Sequence, residues 1–566
     1  MENTSSNDEF IDIATAQDEP NVEPLRTHSN DNLLKFDTHD KYSTLAAVKK
    51  MIMRDLPPPK TNEPPQPLFN GLLRMAKSPQ TPLLFLAFET PEHRAAAAEL
   101  LGTMTFRKKK PWHEVAVTER DLRLTYKGAG RKRERADEAP SQSKVTQWVG
   151  CPMEEQLARK KAHCLRVMKT ITTLKGSDHE KLFAGVHPSP EQSGYRNHVQ
   201  LTFGFTDAKE PSIGFLRGSV VEGMYTIDSV LEKDIVTVNV LAKLIAEAIM
   251  SVYYMFKPPN KGGLEVYDKT KDKGFWRRLQ VRHNTLGEVM LDVEVDMESV
   301  STEVVDDVKV QLSGILQGSE LRAKLCAACG KDTAAVVSAH YHHGTGMNPA
   351  PPETTRHLLL GRSTLTERLS GLQFELSPTS FFQVNTAGME LLLHEAVAVA
   401  ELRPSTTLLD LCCGTGTIGL SLAKYVKRVI GIELVESAVH DARRNAERNG
   451  ICNTTFHCGR VEHLLPDIIS QLGPDDREDI VAVLDPPRAG VTPTVLKWIR
   501  GTAPIRRVVY ISCEQKALER DCPPLTKPAT KAYRETPFSV VAGFAMDLFP
   551  HTPHVEMVVV LARNSN

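Results

Sequence analysis

The chain of 566 residues has no apolar run approaching the roughly 20 residues that a membrane-spanning helix needs, so no membrane partner is expected. Cysteine is scarce: ten, without regular spacing, which excludes a disulfide scaffold and points to a reducing compartment. Net charge is −1, so the chain lacks the global basic field of many nucleic-acid binders. The acidic opening Met1 to Pro20 has neither a charged-then-apolar signal nor the composition of a mitochondrial presequence. A cytoplasmic or nuclear protein, neither secreted nor mitochondrial, is expected.

What is present is ordinary globular material: 41% hydrophobic and 25% charged residues, with a mean hydropathy of −0.27. At about 150 residues per domain, the length allows three or four. Residues 1–32 are polar and acidic and read as a disordered tail. Residues 33–120 carry Leu45, Val48, Met51 and Ile52 at helical spacing, a strand Leu83 to Phe88, an Ala-rich helix Pro91 to Leu101 and a strand Val115 to Val117. That alternation resembles a degenerate RNA-recognition-motif domain: Phe85 and Phe88 keep their places in the signature, whereas Pro82 and Leu83 replace its glycine and first aromatic. A small α/β domain with Phe85 in its core fits equally well. Residues 121–148 form a charged linker; its Arg131-Lys132-Arg133 fits a solvated run, a nuclear-import signal or a phosphate contact. Residues 149–375 read as a central RNA-binding or substrate domain of mixed strands and helices. Residues 376–566 alternate strand and helix as in a parallel sheet.

Chemistry concentrates in that last region. Leu408 to Leu411 is an apolar strand running into Cys412-Cys413-Gly414-Thr415-Gly416-Thr417-Ile418-Gly419, a G-x-G-x-x-G turn, with Glu433 at the tip of the next strand. Glycines there admit a nucleotide close to the backbone, and the acid can bind ribose hydroxyls, in a dehydrogenase or a methyltransferase alike. Downstream, a buried strand delivers Asp485-Pro486-Pro487-Arg488, a loop stiffened by two prolines. Cys513 ends the apolar run Val508 to Ile511, placed as a nucleophile, and Glu556 opens the closing strand beside two histidines, placed as a base. A dehydrogenase has no use for these last features; a base-modifying methyltransferase has use for both.

The ordered segments SFFQVNTAGMELL, LLDLCCGTGTIGL, VIGIELVESAVHDARRNAERNG, FHCGRVEHL, VLDPPRAG, YISC and FPHTPHVEM resemble the RNA uracil-5-methyltransferases, especially their eukaryotic cytosolic tRNA members. The likeness runs from about Gly194, where Tyr195-Arg196-Asn197-His198 matches a further family motif, to Leu561. It implies a Rossmann-like class I methyltransferase domain and methylation of carbon 5 of a uridine by S-adenosylmethionine, with the T-loop uridine of tRNA as target. Cys513 would be the nucleophile, needing partial activation by its site because a free thiol has a pKa of about 8.5. Glu556 would remove the carbon 5 proton. Gln383, Glu433 and Asp485 would contact S-adenosylmethionine, with Cys412, Gly414, Gly416 and Thr417 at the turn. Cys412 stands where bacterial members have an aromatic, so only its backbone is expected to contribute. Phe381 and Arg488 would hold the flipped uracil. Arg196, Lys271, Lys273, Arg277 and Arg278 would contact RNA.

No metal or iron–sulfur cluster is expected: Cys326 and Cys329 form a lone C-x-x-C, and no cysteine precedes Cys151. His340 to His343 read as a solvent-facing strand, and Cys413, Cys452, Cys458 and Cys522 as packing residues. No obligate protein partner is evident. Alternatives left open are the same chemistry on another RNA, cytosine-5 methylation, and an RNA-binding or tRNA-folding protein whose methylation is secondary.

Overall fold

The computed structural model describes residues 33–37, 72–77, 83–88, 90–103, 113–115, 147–172, 178–217, 226–232, 235–260, 263–268, 273–344, 354–529 and 535–563. The chain divides into two compact units, Met1–Ala136 and Asp137–Asn566.

In the first unit, β1 (Leu33–Asp37), β2 (Leu72–Lys77), β3 (Leu83–Phe88) and β4 (His113–Val115) form an antiparallel sheet of order β2-β3-β1-β4. Helix Pro91–Thr103 follows β3, and its Ala97 and Leu101 are buried, as are Leu86 and Phe88. Two-residue alternation on β3 thus supplies one core face. The helix expected around Leu45 to Ile52 and the linker basic run lie outside the described residues.

The second unit holds two large sheets. β5 is Phe183–His187, and the central sheet comprises β6 (His198–Phe205), β7 (Pro211–Arg217), β8 (Thr226–Ser229), β9 (Trp276–His283), β10 (Glu288–Val295), β11 (Ala335–His343) and β12 (Arg356–Gly361). Its order is β12-β11-β10-β9-β6-β7-β8, antiparallel except for β10 against β11. Val199, Leu201 and Phe203 alternate with more exposed residues and share a core with Leu279, Val281 and the helices Val240–Phe256, Thr302–Leu316 and Ser319–Cys329. The first of these helices is capped by Asn239, whose side chain accepts from the Leu241 N–H at 2.9 Å.

The histidine-rich strand differs from expectation. His340 and His342 are buried, and His342 Nδ1 lies 2.9 Å from Asp292 Oδ1 on β10. Parallel pairing of β10 with β11 supplies the acid that spacing along the chain does not. Arg277 is likewise buried against Asp296, and Arg278 pairs with Glu294, so neither is the open basic residue expected to meet RNA.

After the hairpin β13 (Leu365–Leu369) and β14 (Leu372–Leu376) come β15 (Thr407–Leu411), β16 (Arg428–Glu433), β17 (Thr454–Cys458), β18 (Ile480–Leu484), β19 (Ile505–Ser512), β20 (Phe538–Met546) and β21 (Glu556–Arg563). With β5 they form an eight-stranded sheet of order β17-β16-β15-β18-β19-β21-β20-β5. β17 to β19 run parallel, and β21 returns antiparallel between β19 and β20. All five residues of β15 and of β18 are buried, as parallel strands covered on both faces require. Leu409, Leu411, Ala482 and Tyr510 face one apolar layer; Leu408, Val483, Val509 and Ile511 face the other. Helix Met153–Thr172 packs into the first layer through Cys164, Val167, Met168 and Ile171, and β5 pairs with β20 to extend this sheet. Among the described residues no helix is long and apolar enough to cross a membrane.

Candidate active site

Strand order reverses between β15 and β18, the switch point where open α/β sheets bind ligands at their carboxyl ends. Cys412 follows β15, and its φ of 68° turns the chain sharply; the Cys412 and Cys413 N–H groups both donate to the Ile432 carbonyl, at 2.9 and 3.1 Å. Gly414 and Gly416 also have positive φ, 55° and 80°. A Cβ on Gly416 would approach Leu420, Ala442 and Phe456 within 3.2 Å, whereas the space over Gly414 is open. Thr417 begins the following helix, its hydroxyl 3.2 Å from that of Thr415.

Glu433 ends β16, its Oε2 accepting from the Gly414 N–H at 3.0 Å and its Oε1 from the Val435 N–H at 2.9 Å. A carboxylate fixed beside an open glycine turn fits the ribose of a nucleotide cofactor such as S-adenosylmethionine. Asp410 was not singled out from sequence, although an acid inside an apolar strand just before a glycine turn is a visible signal. It is fully buried, Oδ2 accepts from the Gly419 N–H at 2.8 Å, and Oδ1 has no partner. Burial, with the Asp485 and Glu433 charges adding, pushes its carboxyl up to about 7.

Gln383 is partly buried in the segment before helix Thr386–Ala400. Asn197, beside β6, donates through Nδ2 to the Gln383 carbonyl at 2.9 Å and to Thr386 Oγ1 at 2.8 Å, and Arg282 on β9 donates to the Ser380 carbonyl at 2.7 Å. The central sheet therefore holds the Gln383 segment. Phe381 in that segment is 68% exposed, open for a stacking partner.

Asp485 follows β18, and its loop is fixed from below. Asp521 Oδ2 accepts from the Val491 N–H at 3.0 Å and from Tyr510 Oη at 2.7 Å, while the Gly490 N–H reaches the Pro487 carbonyl at 2.7 Å. Cys513 follows β19. Ser512, the last residue of β19, opposes Met557, so Cys513 and Glu556 lie at adjacent ends of paired strands. Gln515 Nε2 donates to the Val555 carbonyl at 2.8 Å, tying the two strand ends together.

Asp485, Arg488, Cys513 and Glu556 thus meet at one end of three neighbouring strands. Burial first, then the Glu556 charge, pushes the Cys513 thiol up to about 11; the Arg488 guanidinium, hydrogen-bonded to it, opposes this. The activation expected of the site is therefore not built into the protein alone, because desolvation outweighs the one cation. Burial raises Asp485 to about 7, and burial plus the Asp485 charge holds Glu556 well above the usual carboxylate range. Cys412 is pushed up to about 12 by burial and by Glu433, which removes it as a nucleophile.

Cys413 and Cys522 are buried as expected, but Cys452 and Cys458 are exposed. Lys271 lies outside the described residues. Among the described residues no group of three or more His, Cys, Asp or Glu is arranged to hold a metal ion.

Residues 354–564 match the family model described as tRNA (Uracil-5-)-methyltransferase. The chain is 32% identical to mouse tRNA (uracil-5-)-methyltransferase homolog A over 516 residues, covering 86% of this chain and 78% of the mouse protein. It is 34% identical to human homolog B, covering 68% of this chain and 74% of that one. The structure of the Pyrococcus abyssi tRNA (uracil-54, C5)-methyltransferase in complex with S-adenosyl-L-homocysteine shares the fold, with a TM-score of 0.51 at 22% identity, over 73% of this chain and 84% of that one. With the glycine turn, Glu433 and the cluster around Cys513 in place, the chain belongs to the tRNA (uracil-5-)-methyltransferase family, enzymes dependent on S-adenosylmethionine.

Proposed function

We propose that the enzyme converts the T-loop uridine of tRNA to 5-methyluridine through a covalent adduct with Cys513. The observation that carries this is the meeting of Cys513 and Glu556 at adjacent strand ends, beside Asp485 and the glycine turn. A uracil carbon 5 is too weak a nucleophile to take a methyl group unaided. Cys513 Sγ, as thiolate, bonds to carbon 6, and the double-bond electrons move toward carbon 5 and the carbon 4 carbonyl. S-adenosylmethionine, which Gln383, Glu433, Asp485 and the turn residues Cys412, Gly414, Gly416 and Thr417 would hold, would supply the electrophilic methyl: carbon 5 takes it as the sulfur–methyl bond breaks and the sulfonium leaves as a neutral thioether. The Glu556 carboxylate then accepts the carbon 5 proton. Those electrons reform the carbon 5–carbon 6 bond and expel Sγ as thiolate.

Phe381, exposed beside this cluster's cofactor segment, would stack on the uracil, and Arg488 would orient it while favouring the thiolate. A loop uridine suits the site because extruding a base costs a few kcal/mol, least for one already looped out. The sheet order β2-β3-β1-β4, with a helix after β3, supports an RNA-recognition-motif-like fold in the first unit and a role in holding tRNA. A cytoplasmic or nuclear location accords with these substrates.

The test is to incubate the enzyme with labelled S-adenosylmethionine and unmodified tRNA transcript, then map the product by nuclease digestion. Label as 5-methyluridine in the T-loop is the expected outcome, absent from Cys513→Ala. Label confined to another position would contradict the assigned target.

A further inference from the structure

The loop Asp547 to Val555, which leads into Glu556, is held almost residue by residue from outside. Lys160, in helix Met153–Thr172, has its side chain fully buried; Nζ meets Asp547 Oδ1 at 2.5 Å and donates to the Phe549 carbonyl at 3.0 Å. Gln156, one turn earlier and also fully buried, accepts at Oε1 from the His551 N–H at 2.8 Å and anchors its amide on the Cys151 carbonyl at 2.8 Å. The Trp148 N–H donates to the His551 carbonyl at 2.9 Å. His551 has φ of 65°, a left-handed conformation that a non-glycine residue keeps only where its surroundings fix it.

An ion pair removed from water is a poor source of stability, because desolvation offsets the attraction. What it does supply is geometry: one nitrogen, tethered to a helix of the core, spans the loop's first and third residues. Asp547 Oδ2 is buried without a hydrogen-bond partner, and Lys160 is the cation that meets this carboxylate directly. We propose that Lys160 and Gln156 are positioning residues for Glu556, holding its loop so that the carboxylate meets the carbon 5 proton of the adduct. This rests on Glu556 being the base. The contribution is specific to the late step: the methyl acceptor is bound by Cys513 just after β19, whereas the acid that ends the reaction opens β21 directly after this loop.

The test uses the full-length protein, unmodified tRNA transcript and labelled S-adenosylmethionine in single turnover. Two rates are read: appearance of label in a denaturant-resistant protein–RNA adduct, and its release as 5-methyluridine RNA. Glu556→Gln serves as reference and should accumulate adduct. Lys160→Met should slow release by about tenfold or more, as displacement of a reacting group by an ångström does. Its adduct formation should stay within about threefold of the unmodified enzyme, the pattern of an interaction used in one step only. Gln156→Ala, which leaves no buried charge behind, should do the same and decides the matter should Lys160→Met fail to fold. Equal slowing of both rates, or of neither, overturns the proposal. If Glu556→Gln itself accumulates no adduct, the assignment of the base is what fails.

Discussion

Cys513 carries a burden that its surroundings do not lighten unaided. Its thiol is pushed up to about 11, so within the working range almost all of it is protonated. An acid's charged form grows as pH rises toward its pKa. Adduct formation should therefore accelerate by about tenfold per pH unit between roughly pH 7 and 9, measured by rapid quench on tRNA. A flat profile would mean that bound RNA delivers the thiolate some other way. Burial and the Asp485 charge shift Glu556 upward too, so release gains with pH as well. Arg488 works against burial; Arg488→Met should slow adduct formation by a constant factor between roughly pH 7 and 9, the deficit closing only as pH approaches the thiol's pKa of about 11. Phe381→Ala should raise KM for tRNA while leaving S-adenosylmethionine binding intact, since the ring is exposed and base stacking contributes about 1 to 3 kcal/mol.

Strand ends do the positioning, and their anchors lie beneath them. Tyr510→Phe removes the hydroxyl that meets Asp521 under the proline loop, and should cost about 1 to 3 kcal/mol, read as a lower unfolding midpoint. Asp410 offers the opposite case. Its folded pKa, about 7, lies above its unfolded value near 3.8, so the folded state binds the extra proton. The penalty is absent below pH 4, grows between pH 4 and 7 and is constant above. Asp410→Asn should thus stabilise the protein by a few kcal/mol above pH 7 and by little near pH 4. The strand-and-turn run from Leu408 to Gly419, with Asp485 and Cys513 at later strand ends, was legible in sequence because each follows an apolar run that a buried parallel strand requires, and Glu556 because it opens one. Lys160 was not: its partner lies 387 residues away, and nothing in local periodicity reports a pairing made only by tertiary packing. His342 with Asp292 failed to show for the same reason, across 50 residues.

At the scale of the molecule, one sheet carries the cluster around Cys513, and the central sheet supports the segment bearing Gln383 and Phe381 through Asn197 and Arg282. The division after Ala136 predicts that residues 137–566 fold alone and methylate tRNA with a raised KM, checked by melting and steady-state kinetics. An unchanged KM would remove the first unit from tRNA binding. The kinetic outcomes at Cys513, Glu556 and Arg488 presuppose the covalent route through Cys513. The direct measurement uses tRNA transcribed with 5-fluorouracil, whose carbon 5 fluorine cannot leave as a proton does. Labelled methyl should remain with the protein in a denaturant-resistant adduct for the unmodified enzyme, and not for Cys513→Ala. No adduct in the first case, or an adduct in the second, would contradict the account.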